Sequence, residues 1–122
     1  MQTEALKTLA IEALTDLKAI DLVTLNIRDI STLADFMIIC SGRSTRHVKS
    51  LAENVALRAK QNAVSYLKME GQKEGEWVIV DLGDVIVHIM TPATRTFYNL
   101  EDLWEPIKVL RDQHAHSNTR SG

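Results

Sequence analysis

Cysteine is almost missing from this chain of 122 residues, which holds only Cys40. A single thiol excludes an internal disulfide and a cysteine-built zinc site. It ends the apolar run Phe36-Met-Ile-Ile-Cys40 and reads as a small buried hydrophobe, not a reactive nucleophile. Long apolar runs are lacking as well, and none approaches the roughly 18 residues of a membrane span. The N-terminus shows no basic region followed by an apolar block, so no secretion signal is expected and the cytoplasm is the expected setting. No charge sign dominates either. The net charge of -2 gives no general attraction to nucleic acid or anionic lipid. Aromatic residues make up 5% and do not align as a base-stacking platform, which argues against an RNA-binding module. Ser41-Gly-Arg-Ser-Thr45 leads from an apolar run into a helical pattern, but with one glycine it matches neither phosphate-loop signature. Arg43, Arg46 and His47 sit where free backbone N–H groups attract anions, or are simply solvated cations at a helix start.

What is present suits an ordinary globular domain. The hydrophobic fraction is 45% and the charged fraction 25%, in a chain long enough to bury a core without staples. One domain is expected over residues 1–112, followed by a polar, aperiodic and disordered tail over 113–122. Leu6, Leu9, Ala10, Ala13, Leu14 and Leu17 form one helical stripe over 3–18, with Thr3 as its cap. Residues 22–30 alternate as a half-buried strand, and 36–40 read as a strand buried on both faces. Ser44 caps a second helix that fades near 61–62, and 63–70 reads as a third strand before a polar turn over 71–75. After Pro92, which ends the fifth strand, a short helical turn is expected over 94–98. Asn99 would cap an element over 100–104, packed down through Phe97, Leu100, Leu103 and Trp104, with a further helix over 106–112. The order predicts an α/β fold, a mixed sheet of five strands with helices mainly on one face.

The most informative stretch is Glu76-Trp-Val-Ile-Val-Asp-Leu-Gly-Asp-Val-Ile-Val-His-Ile-Met-Thr-Pro92. Two β-branched runs flank Gly83-Asp84, a pair that suits a two-residue hairpin turn with glycine at positive φ. That loop sets Ile79 opposite His88 and Trp77 opposite Met90. Alternation then puts Val78, Val80, Leu82, Val85, Val87 and Ile89 on one side, all aliphatic. Trp77, Ile79, Asp81, Ile86, His88 and Met90 fall on the other. The aliphatic side is a core face for helices to cover. The mixed side is either a second core layer with a satisfied Asp–His pair or a surface that meets another macromolecule.

Catalysis finds little support. Asp81 and His88 are diagonal neighbours in this register, and an Asp–His pair can orient a general base. However, the hairpin supplies no nucleophile. Asp81 with Asp84 resembles a metal-binding pair for nucleotidyl transfer, yet one lies on the strand and the other in the turn, so they need not converge. A nucleotidyltransferase-like enzyme is the competing reading. A structural or recognition role for Asp81 and His88 is favoured, and neither a cofactor nor a metal is expected.

The hairpin run, followed by Arg95-Thr-Phe-Tyr-Asn-Leu-Glu-Asp-Leu-Trp104, closely resembles the Iojap/YbeB family of ribosomal silencing factors. Ala34-Asp-Phe-Met-Ile-Ile-Cys-Ser-Gly-Arg-Ser-Thr-Arg-His-Val is similar to the same family, as are Gly71 and Trp77. The resemblance implies a mixed five-stranded α/β fold related to nucleotidyltransferases but without their catalytic carboxylates. It also implies a translation repressor that binds a protein of the large (50S) ribosomal subunit, the fourteenth in the standard list, at the face that meets the small subunit. Occupation of that face would block subunit joining. Homodimers are implied for the free protein. Combined with the sidedness of the hairpin, Trp77, Ile79, Asp81, His88 and Met90 are the expected docking residues. Arg43 and Tyr98 would contribute from neighbouring loops, and Lys68 and Glu70 would form a rim.

Overall fold

The computed structural model describes residues 1–100. The expected elements Leu103, Trp104, 106–112 and the tail over 113–122 lie outside them. Helix α1 (Thr3–Asp16) buries Leu6, Leu9, Ala10, Ala13 and Leu14, the stripe read from spacing. Its N-cap is Gln2, with no side-chain cap bond, rather than Thr3. The Thr3 hydroxyl instead donates to Asp84 Oδ2 at 3.2 Å, so a tertiary partner replaces the local one. The helix stops at Asp16 because Lys18 turns the chain at φ 62.

Strand β1 (Ile20–Asn26) is shorter than the alternation over 22–30 suggested. Asn26 Oδ1 accepts from Arg28 N–H at 3.1 Å, and the Ile27 carbonyl accepts from the N–H groups of Ile30 and Ser31. Side-chain and turn bonds thus take over from the ladder. Strand β2 (Phe36–Ser41) is buried along its whole length. Helix α2 (Thr45–Gln61) starts at the expected cap, Ser44, whose hydroxyl accepts from His47 N–H at 3.1 Å. Strand β3 (Lys68–Glu70) keeps only three residues of the stretch 63–70, since Ala63 sits at φ 54 where α2 unwinds. Strands β4 (Trp77–Asp81) and β5 (Val85–Met90) form the hairpin in the expected register, with Ile79 opposite His88 and Trp77 opposite Met90. Gly83 has φ 87, and Leu82 N–H donates to the Val85 carbonyl across a two-residue loop. Helix α3 (Pro92–Tyr98) begins where β5 ends. Thr91 caps it, and Pro92 occupies its first turn, where a missing N–H leaves nothing unpaired.

The sheet order is β1-β2-β5-β4-β3, with β2 and β5 parallel and every other pair antiparallel. The fold is therefore α/β with a mixed five-stranded sheet. Helices α1 and α2 cover the aliphatic face. Val78, Val80, Val85, Val87 and Ile89 are wholly buried there against Leu14, Leu51 and Val55. Each such side chain contributes roughly 1.5–3 kcal/mol when removed from water. No helix among the described residues is long and apolar enough to cross a membrane.

Cys40 belongs to this core and is fully buried. Burial pushes its thiol up to about 12, against a smaller opposing effect of the Arg95 charge. The native protein should therefore resist an aromatic disulfide reagent, and reaction should appear only as denaturant opens the fold. Rapid stoichiometric labelling in native buffer would contradict the burial.

Candidate functional site: the second face of the sheet

Backbone pairing arranges the other face in rows that run from closed to open. One row is Val23, Ile39, His88, Ile79 and Glu70; the next is Leu25, Met37, Ile86, Asp81 and Lys68. At the β1–β2 end, Leu25, Met37 and Ile39 are buried beneath Ile27 and Ala34 from the connecting loop. At the β4–β3 end the cover is thinner, with α3 touching β4 through Tyr98 against Trp77. There Ile86, Ile79, Asp81 and Trp77 are half-buried, and Lys68 and Glu70 are exposed. Both readings of this face are thus realised in different places, with a second core layer on one side and an open surface on the other. The gradient arises because the loop after β1 folds back over its own end of the sheet, while β3 is too short to carry a cover.

The expected docking residues separate accordingly. Met90 is fully buried with Leu25, Ile39 and Leu100, so it supports the face from below and is corrected from contact residue to core. Trp77 remains half-open and packs against Tyr98 in a tilted arrangement, with ring centroids 5.0 Å apart. Lys68 and Glu70 form an exposed ion pair at 3.6 Å, a contact worth little in water. Arg43 is exposed just beyond β2, and its N–H donates to His47 Nδ1 at 2.9 Å. His47 Nε2 lies 2.7 Å from the Leu17 carbonyl, so this ring ties the end of α1 to the start of α2. That internal role removes His47 from the anion-site reading.

The suggested Asp81–His88 hydrogen bond is not formed. Asp81 Oδ1 accepts from Gly83 N–H at 2.8 Å, closing the turn locally, while His88 Nδ1 accepts from the Trp77 indole N–H at 3.0 Å. Asp81 takes a backbone partner in its own turn, and His88 takes Trp77, the other of its two diagonal neighbours across the ladder. Asp84, offered earlier as the partner of Asp81 in a metal pair, faces the Thr3 hydroxyl of α1.

His88 is only 8% exposed, and burial lowers its pKa to about 4 from the ordinary 6.5. The ring is thus neutral near pH 7. The unfolded chain takes up the proton first as pH falls. The stability that His88 contributes is therefore complete above about pH 6.5 and is lost as pH drops toward about 4. Urea midpoints at pH 7 and 4.5 should fall further for the wild type than for His88→Asn, which has nothing to titrate there. Equal falls would remove His88 as the source.

Sequence reasoning missed Phe97. It was expected to pack down, yet it is 80% exposed and lies edge-on to Tyr98 at 5.0 Å. The cause is polar anchoring of α3. Glu76 Oε2 sits 3.3 and 3.1 Å from the hydroxyls of Thr91 and Thr94, and Arg95 donates to Ser41 Oγ at 3.1 Å. With Thr94 and Arg95 turned inward, the two aromatic residues are left outside. The threonines around Pro92 and the acidic residue before β4 were the available signal.

The model of the family described as "Ribosomal silencing factor during starvation" matches residues 1–121. The chain belongs to the ribosomal silencing factor family. The "Ribosomal silencing factor RsfS" of Chromobacterium violaceum is 43% identical over 104 residues, 85% of each chain. A crystal structure of a protein from the same organism superposes with a TM-score of 0.83 at 43% identity, covering 86% of this chain and 88% of that one. A more distant relative, the mouse "Mitochondrial assembly of ribosomal large subunit protein 1", is 37% identical over 73 residues, 57% of this chain and 32% of that protein.

Proposed function

We propose that this protein is a cytoplasmic, non-enzymatic silencing factor that binds the large ribosomal subunit and represses translation. The partner is a large-subunit protein, the fourteenth in the standard list, at the face that meets the small subunit. A rigid domain seated there overlaps the space of the incoming subunit, so association is blocked by bulk alone and needs no reaction. The observation that carries this reading is the half-open strip of Trp77, Ile79 and Ile86 beside Tyr98 and Phe97, rimmed by Lys68 and Glu70. An apolar, aromatic centre within a charged rim is the anatomy of a protein-binding patch. The relatives' names supply the ribosomal context, and the mouse name supplies the large subunit. The homodimer of the free protein rests on family resemblance.

Sedimentation decides the matter. The protein should co-migrate with purified 50S subunits, and preincubation should deplete the 70S peak when 30S subunits are added. An undiminished 70S peak at saturating protein would sink the proposal.

A further inference from the structure

Trp77 and His88 act as one unit at the centre of the open strip. The indole Nε1–H donates to His88 Nδ1 at 3.0 Å, with the ring centroids 5.9 Å apart. Nδ1 is thereby an acceptor, so the hydrogen of the neutral imidazole resides on Nε2. His88 makes no second hydrogen bond with the described residues. Yet no buried side-chain nitrogen or oxygen among them lacks a partner. It follows that Nε2 reaches the surface through a narrow opening, since the residue is only 8% exposed. The tryptophan has spent its own donor internally. What the strip presents at this point is apolar surface with one oriented N–H.

We propose that His88, held in this tautomer by Trp77, donates its Nε2–H to a main-chain carbonyl oxygen of the docked ribosomal protein and thereby fixes the register of the complex. The inference rests on the docking role proposed above. A neutral acceptor is favoured for two reasons. On this face Glu70 is paired with Lys68, while the Asp81 carboxylate has no ion pair among the described residues and repels a carboxylate. A carbonyl is also far less costly to desolvate beside Ile79 and Trp77 than a charge. Discrimination follows, because a partner seated out of register leaves the N–H buried and unpaired. Trp77 is then both an apolar anchor and a positioning residue.

The test uses the full chain and purified 50S subunits. His88→Asn keeps an amide oxygen where Nδ1 was, so the indole stays bonded, but nothing occupies the Nε2 position. Its affinity should fall about tenfold, the effect of one neutral hydrogen bond. His88→Gln, whose amide nitrogen reaches the Nε2 position, should recover most of that loss. In the free protein, long-range proton–nitrogen correlation spectra should show Nδ1 unprotonated. Trp77→Phe should convert this to a mixture of tautomers, a change that a purely structural role would not produce. A protonated Nδ1 in the wild type overturns the proposal. So does wild-type affinity in His88→Asn when Trp77→Ala binds poorly, an outcome that leaves the docking face standing. Wild-type affinity in both variants sinks the docking face itself. A His88→Asn defect that shrinks as salt rises assigns a carboxylate acceptor and overturns the carbonyl.

Discussion

Trp77→Ala is expected to weaken binding to the large subunit by about 2 kcal/mol or more, roughly thirtyfold, while the protein stays folded. The indole is half-buried, so it is held well enough to be ordered and open enough to be covered by a partner. It packs against Tyr98 and bonds to His88, which removes most of the side-chain entropy that binding would otherwise cost. Truncation also leaves the His88 Nδ1 acceptor unpaired and Tyr98 unsupported, so three elements of the strip lose definition together. Lys68→Ala is the matched control. Its ion pair with Glu70 is exposed and at the rim, so affinity should change by less than about 0.5 kcal/mol. Equal effects of the two substitutions in a binding titration would place the energetic centre elsewhere. Far-UV and near-UV spectra of Trp77→Ala check that the second core layer, including Met90 and Leu100, survives.

Gly71→Ala should destabilise the fold by about 3 kcal/mol. Gly71 has φ 87, a conformation that costs an L-residue roughly 1–2 kcal/mol. An added Cβ would also lie 2.1 Å from the Trp77 carbonyl oxygen. The obstacle is β4 backbone and cannot rotate aside, so a further overpacking cost of about 1–3 kcal/mol follows. Gly83→Ala separates the two terms. It has the same φ of 87, but its nearest neighbour would be Tyr66 Cβ at 3.8 Å, an ordinary contact. Gly83→Ala should therefore cost only the conformational part, about 1–2 kcal/mol. Denaturant midpoints with an unchanged m value measure both. If the two variants unfold alike, the close approach of the 71–75 turn to β4 is wrong. Because Gly71 abuts the Trp77 carbonyl, its replacement should also disturb the strip, so affinity should fall alongside stability.

The hairpin register was legible because a two-residue loop leaves one way to pair the strands, and alternation then fixes every side chain to a face. The α1 and α2 stripes were legible for a similar reason, since periodicity of 3.6 residues is a local property. Ser44 was readable as a cap because its partner, the His47 N–H, is three residues away. Thr3 was misread because its partner, Asp84, is distant in sequence. Distance in sequence likewise explains Phe97, whose exposure depends on Glu76 and Ser41 holding the other side of α3.

The candidate site divides along the same line. From the chain alone came the composition of the second face: an indole, an imidazole and a carboxylate set among aliphatic side chains on alternate positions of one ribbon. Only the folded sheet decided which of them water reaches. The loop over 27–34 closes one end of the face and Met90 is buried with Leu25, Ile39 and Leu100, while Trp77 and Ile79 stay half-open. It also decided the polar pairing, giving His88 to the indole and Asp81 to its own turn. Alternation is dictated by backbone geometry within one strand, whereas cover and pairing depend on segments that meet only after the chain has folded.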